Sequence, residues 1–110
     1  MITDNDMPQG KKIIIRVDSD LEDLIPGFLE NRRRDITAIF EALERSDYDY
    51  IAGTGHTMKG VGGGYGFDAI TDIGGSIEAA AQQKDPVKIK HCLDELSNYL
   101  QCIEIVFEPG

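Results

Sequence analysis

Positive charge is scarce in this chain: 11 Lys and Arg stand against 20 Asp and Glu, giving a formal net charge of −9 and a pI near 4.5. Nucleic acid is therefore not an expected partner, because phosphate binding is driven by clustered Lys and Arg. The one dense basic run, Arg32-Arg33-Arg34, reads as a solvated helix face balanced by Glu30, Asp35 and Glu41 at helical spacings. Its alternative reading is part of a docking rim for an acidic partner. Long apolar runs are also missing. None approaches the roughly 18 residues that cross a bilayer, so no membrane span is expected, and nothing at the N-terminus resembles a signal peptide. Cysteine is limited to Cys92 and Cys102. On one helix they stand about 15 Å apart at 1.5 Å per residue, out of disulfide reach. They read as thiols of a reducing cytoplasm, the expected location.

Other absences narrow the chemistry. His56, His91 and Cys92 show no structural-zinc spacing, and no carboxylate cluster converges, so neither a metal nor a cofactor is expected. Gly62-x-Gly64-x-Gly66 follows no strand and departs from the dinucleotide spacing, while Lys59 is not followed by the Ser or Thr of a phosphate loop. No serine, cysteine or second histidine pairs with His56 in sequence, so a self-contained hydrolase is not indicated.

What is present suits one folded domain: 110 residues, 41% hydrophobic and 28% charged. Residues 1–18 read as a flexible or extended segment and 19–108 as the domain. Ile13 to Val17 is a β-branched run that favours extension. With no sheet to join, it is expected to pack along the domain or take a first helical turn. Residues 20 to 25 form a short turn before a helix in which Phe28, Leu29, Ile36, Ile39, Phe40 and Leu43 repeat at helical steps to about Arg45. A second helix starts near Ser46-Asp47-Tyr48-Asp49 and ends around Gly64. Phe67, Ile70, Ile73, Gly74, Ile77 and Ala81 stripe a third, closed at Lys84-Asp85-Pro86. Val87, Ile89, Leu93, Leu96, Leu100, Ile103 and Phe107 stripe a last long one. The expected fold is all-α, an antiparallel four-helix bundle with a short N-terminal segment.

The second helix is unusual. Residues 53 to 66 contain Gly53, Gly55, Gly60, Gly62, Gly63, Gly64 and Gly66, each about 1 kcal/mol worse than alanine inside a helix. At about 100° per residue, Ile51, Thr54, Met58, Val61 and Tyr65 share one side, and His56 faces the opposite way. Ala52, Lys59, Gly60 and Gly63 lie within about 40° to 60° of it on the same wheel. Gly55 and Gly62 point toward the core side and suit tight helix packing. Gly60 and Gly63 face out and suit close approach by a partner. An exposed imidazole on a bare platform, with one lysine beside it, results.

His56-x-x-Lys59-Gly60, followed by Gly63, Gly64 and Tyr65-Gly66-Phe67, resembles the histidine-containing phosphotransfer (HPt) domains of bacterial multistep phosphorelays. The resemblance extends to Leu24-Ile25-Pro26-Gly27-Phe28-Leu29-Glu30-Asn31-Arg32 and Ile73-Gly74-x-x-Ile77-Glu78, and so covers roughly residues 20 to 105. It implies a four-helix bundle whose exposed histidine accepts a phosphoryl group from a receiver-domain aspartate and passes it on, a phosphocarrier without kinase activity or nucleotide site. His56 is then the phosphorylated nucleophile, since an ordinary imidazole is largely neutral at pH 7. Lys59 stabilises phosphoryl charge, and Gly60 and Gly63 admit the partner's loops.

In such domains an amide side chain on the next helix often lies near the histidine, and the matching position is Glu78. A carboxylate there repels phosphoryl oxygens at short range but is also able to hold the unattacked ring N–H and fix the tautomer. The resemblance places Mg2+ on the receiver. Partners implied are response-regulator receiver domains and a hybrid histidine kinase; the sequence leaves the oligomeric state open, with a monomer favoured. The alternative is a four-helix adaptor that binds a receiver or kinase without carrying phosphate.

Overall fold

Aspartate side chains start three of the helical elements in the computed structural model, which describes residues 12–109. Asp18 accepts from the Asp20 amide at the head of a 3-10 helix, Ser19–Leu24. This leads directly into helix α1, Ile25–Glu44, with Pro26 in its first turn, where a missing N–H leaves no bond unmade. Asp47 caps α2, Tyr48–Gly62, and Asp85 caps α4, Pro86–Cys102. Between them a 3-10 turn, Gly63–Tyr65, and left-handed Gly66 (φ 92°) lead into α3, Asp68–Gln82.

Helices α1 and α3 end the same way. Ser46 and Lys84 each take φ 54°, and the next amide reaches back, Asp47 to Ala42 O at 2.9 Å and Asp85 to Ala80 O at 3.0 Å. Both are Schellman stops. In each, one aspartate closes the old helix with its backbone and caps the new one with its side chain, so two short reversals set antiparallel neighbours.

The four helices bury Ile39, Ile51, Met58, Phe67, Ile70, Ile77, Ile89, Leu93 and Leu96. Phe28 stacks on Tyr65 at 4.5 Å and on Phe67 at 5.2 Å between ring centroids, tying α1 to the end of α2. Arg32 corrects the expectation of a solvated basic face. It is 8% exposed, with its guanidinium over the Phe28 ring at 4.8 Å and bonded to Asp35 at 2.9 Å. It fills the stripe position between Phe28 and Ile36 with a stacked cation. Only Arg33 and Arg34 remain outside, reaching Glu30 at 3.8 and 3.7 Å. Phe40 and Val87, read as stripe residues, are exposed, Val87 at 77%.

The last helix is shorter than expected. It stops at Cys102, and Ile103–Glu108 is a strand, β2, paired in parallel with β1, Ile13–Asp18. Ile103 and Phe107 fit a helical spacing as well, but Ile105 shares their half-buried side while Glu104, Val106 and Glu108 alternate with them on the exposed side, a period of two. Ile13, Ile15 and Val17 stand opposite Ile103, Ile105 and Phe107, and Lys12 and Arg16 reach Glu104 and Glu108 at 3.4 and 2.8 Å. The β-branched N-terminal run therefore has its sheet, with the whole bundle as the crossover that a parallel pair requires. Of the N-terminal segment, residues 1–11 lie outside the described residues.

Helices α2 and α3 meet at their backbones. A Cβ added to Gly55 would stand 2.7 Å from the Glu78 amide nitrogen and 2.8 Å from the Gly74 carbonyl. One added to Gly74 would stand 2.6 Å from the Lys59 nitrogen, and one on Gly62 would stand 2.7 Å from the Thr71 nitrogen. Side chains cannot yield there, because the obstacles are main chain. Gly74→Ala should destabilise by about 2 kcal/mol or more in urea melts, overpacking outweighing the gain of about 1 kcal/mol in helix propensity. Gly60→Ala, with nothing within 4 Å of its added Cβ, should stabilise by up to about 1 kcal/mol. Equal responses at the two positions would contradict the seam.

Candidate functional site

The seam decides which side chains meet. Gly55 abuts the Glu78 amide and Gly74 abuts the Lys59 amide, so His56, Lys59 and Glu78 emerge around one point of contact between α2 and α3. Glu78 spans the other two. Its Oε2 lies 3.1 Å from His56 Nδ1, and its Oε1 lies 3.2 Å from Lys59 Nζ. The carboxylate is the most sheltered of the three, with 20% of its side chain exposed against 47% for Lys59 and 68% for His56.

The electrostatics follow from this order. The hydrogen bond from Lys59 is the main cause holding the Glu78 carboxyl below its ordinary range. Partial burial opposes it, and the charges of Lys59 and His56 and the His56 bond add to the lowering. An ionised carboxylate can only accept, so the facing ring nitrogen, Nδ1, carries the hydrogen. That assignment leaves the Nε2 lone pair available for attack. Of the two roles read from the sequence for Glu78, repulsion of phosphoryl oxygens and a hold on the ring N–H, the geometry fits the second, and Lys59 on its other oxygen offsets its charge.

The expected platform residues are placed unequally. Gly60 is exposed and open, as is Gly53 on the same flank. Gly63 is exposed but engaged: its amide donates to Thr71 Oγ1 at 2.8 Å, and an added Cβ would touch Thr71 and Asp68 at 3.6 Å. Two contributors were missed in the sequence, Gly75 and Thr71, and Gly74 was read only as a stripe and resemblance residue of the third helix. Gly75 leaves room for the Lys59 stem, which would stand 3.3 Å from a Cβ there. A pair of glycines inside α3 carries the same helix penalty that drew notice to α2, and that signal could have found them. His91 is exposed on α4 and joins nothing at the site. Among the described residues no group of three or more His, Cys, Asp or Glu is placed to hold a metal ion, and no helix is long and apolar enough to cross a membrane.

The arrangement offers one exposed nucleophilic nitrogen, one ammonium a helical turn away and one carboxylate that orders both. Because its folded value is lowered, Glu78 contributes stability that is fully present above its ordinary value of 4.5 and is lost as pH falls through the folded value. Glu78→Gln has no such contribution to lose. Its stability should fall less than the wild type's between pH 6 and the acid limb below about 4.5. Parallel stability curves for the two proteins would contradict the clamp.

Against protein-family models the chain matches the Hpt domain over residues 23–103. Searches of curated proteins and of solved structures returned no match.

Proposed function

The chain belongs to the Hpt domain family, which acts in histidine phosphotransfer within phosphorelay signalling, and from that premise we propose that His56 is its phosphoacceptor. One observation carries the reading: an imidazole 68% exposed whose Nδ1 lies 3.1 Å from the Glu78 carboxylate, so that Nε2 is the ring nitrogen Glu78 does not hold.

In this account Nε2 attacks the phosphorus of a receiver's aspartyl phosphate. The Nε2–P bond forms as the P–O bond breaks, and the leaving electron pair returns to the aspartate carboxylate. The ring becomes cationic with its proton still on Nδ1, where Glu78 faces it. Onward transfer reverses these steps: a receiver carboxylate attacks phosphorus and the P–N electron pair returns to Nε2. No proton needs to move in either direction.

Phosphoryl transfer is mainly positioning and stabilisation of charge on the equatorial oxygens. Lys59 supplies that charge, Glu78 orders the ring, and Gly60 with the more constrained Gly63 lets the partner's loops come close. Mg2+ belongs to the receiver in this scheme, and the chain works as a phosphocarrier without kinase activity of its own. Its setting is a cytoplasmic relay, with receiver domains and a hybrid histidine kinase as partners and a monomeric carrier between them.

Incubation with a receiver phosphorylated on its aspartate should label the wild type and leave His56→Gln unlabelled, read by acid-labile phosphate on the intact protein. Label persisting in His56→Gln would refute the assignment. Receiver binding without any label on the wild type would favour the adaptor reading instead.

A further inference from the structure

A concavity lies where α3, α4 and the start of β1 converge. Helix α3 lines it with Ala69, Asp72 and Ile73, which share one helix face at steps of three and four residues. Glu95 and Tyr99, one turn apart on α4, stand across from them, and Ile13 of β1 closes a third side. The cavity measures about 570 Å³. That is the size of a small-molecule site rather than of a packing defect. None of His56, Lys59 and Glu78 lines it.

The fold leaves two of its features unaccounted for. Tyr99 is 8% exposed, yet its hydroxyl has no hydrogen-bond partner among the described residues. A buried tyrosine hydroxyl ordinarily finds one, because a bare one forfeits the bond it made with water in the unfolded chain. Burial, with the charge of Asp68 adding to it, pushes this phenol up to about 12. The group is therefore neutral and able both to donate and to accept. The second feature is unbalanced charge at the rim. Lys12, the cation there, is already paired with Glu104 at 3.4 Å, whereas exposed Asp72 and Glu95 make no ion pair among the described residues.

We propose that this cavity binds a small organic cation, with an apolar ring on Ile13, Ala69 and Ile73, a polar ring atom at the Tyr99 hydroxyl and an ammonium at the Asp72 and Glu95 rim. Affinity comes from the buried ring, since exposed ion pairs contribute little. The rim instead selects the sign of the charge. Phosphates and carboxylates are disfavoured by the same two side chains and by the net charge of −9. One or two fused rings with a short aminoalkyl arm meet all three requirements. The site is independent of the phosphoacceptor assignment.

Tryptamine is the probe, with indole-3-ethanol as its neutral counterpart and indole-3-propionate as its anionic one. Each is titrated into the full chain and followed by amide NMR shifts. Tryptamine should give saturable shifts confined to α3, α4 and β1 around the cavity, with a Kd in the millimolar range or tighter, as suits about twelve heavy atoms. Indole-3-ethanol should bind about threefold or more weakly, and indole-3-propionate should not saturate. The double variant Asp72→Asn, Glu95→Gln should bind tryptamine and indole-3-ethanol alike.

Tyr99→Phe should weaken tryptamine about threefold or more while melting no lower than the wild type, because the unpartnered hydroxyl is gone. Ala69→Phe should fill the cavity and abolish binding. Absence of saturable shifts, shifts spread over α1 and α2, or equal affinity for the cation and the anion would overturn the proposal. So would tryptamine affinity unchanged in Tyr99→Phe.

Discussion

The contact on which the site depends is main chain against main chain. Gly55, Gly62 and Gly74 let α2 and α3 approach until amide and carbonyl groups stand where side chains would normally intervene. Interhelical spacing is ordinarily set by the side chains at the crossing, and removing them brings the two backbones together. At that spacing a glutamate of α3 reaches a histidine and a lysine of α2 at 3.1 and 3.2 Å while those two remain substantially exposed. A wider seam would carry Glu78 out of reach of one or both. The glycine penalty in α2 thus divides in two. The buried glycines are offset by packing, whereas at Gly53, Gly60 and Gly64 an added Cβ meets nothing within 4 Å among the described residues.

Charge at the site is arranged rather than accumulated. Glu78 would be a poor neighbour for a phosphoryl group if it stood alone, yet each of its oxygens faces a hydrogen-bond donor. The pair it makes with Lys59 is close to neutral overall, and the imidazole beside it is 68% exposed. The same economy appears at Arg32, whose charge is turned inward onto Phe28 and Asp35. Burial pushes the Asp35 carboxyl up while the guanidinium opposes the shift. Charge is thereby withdrawn from the neighbourhood of the glycine strip.

Much of this was legible in the sequence, for physical reasons that can be named. The four helices follow from apolar repeats bracketed by aspartate caps and Pro26 and Pro86, and the outward histidine follows from the stripe opposite it. The division of glycines also held for Gly55 and Gly62 inside and Gly60 outside. What was not legible was non-local. The β1–β2 pairing joins segments about ninety residues apart, and Ile103 with Phe107 satisfies both periods, so only Ile105 separates them. Arg32 at a core position needed knowledge of the Phe28 ring beneath it. The resemblance put Glu78 near His56, but its second contact, with Lys59 at 3.2 Å, needed the spacing of two helices, which no local pattern encodes.

The central claim is that Glu78 holds Nδ1–H and leaves Nε2 as the phosphoacceptor nitrogen. Nitrogen-15 NMR of the ring, taken before and after phosphorylation, addresses it most directly. The account predicts the Nδ1–H tautomer in the free protein and phosphorus coupling at Nε2 in the phosphorylated one. A phosphoryl group on Nδ1, or a free ring protonated on Nε2, would contradict it.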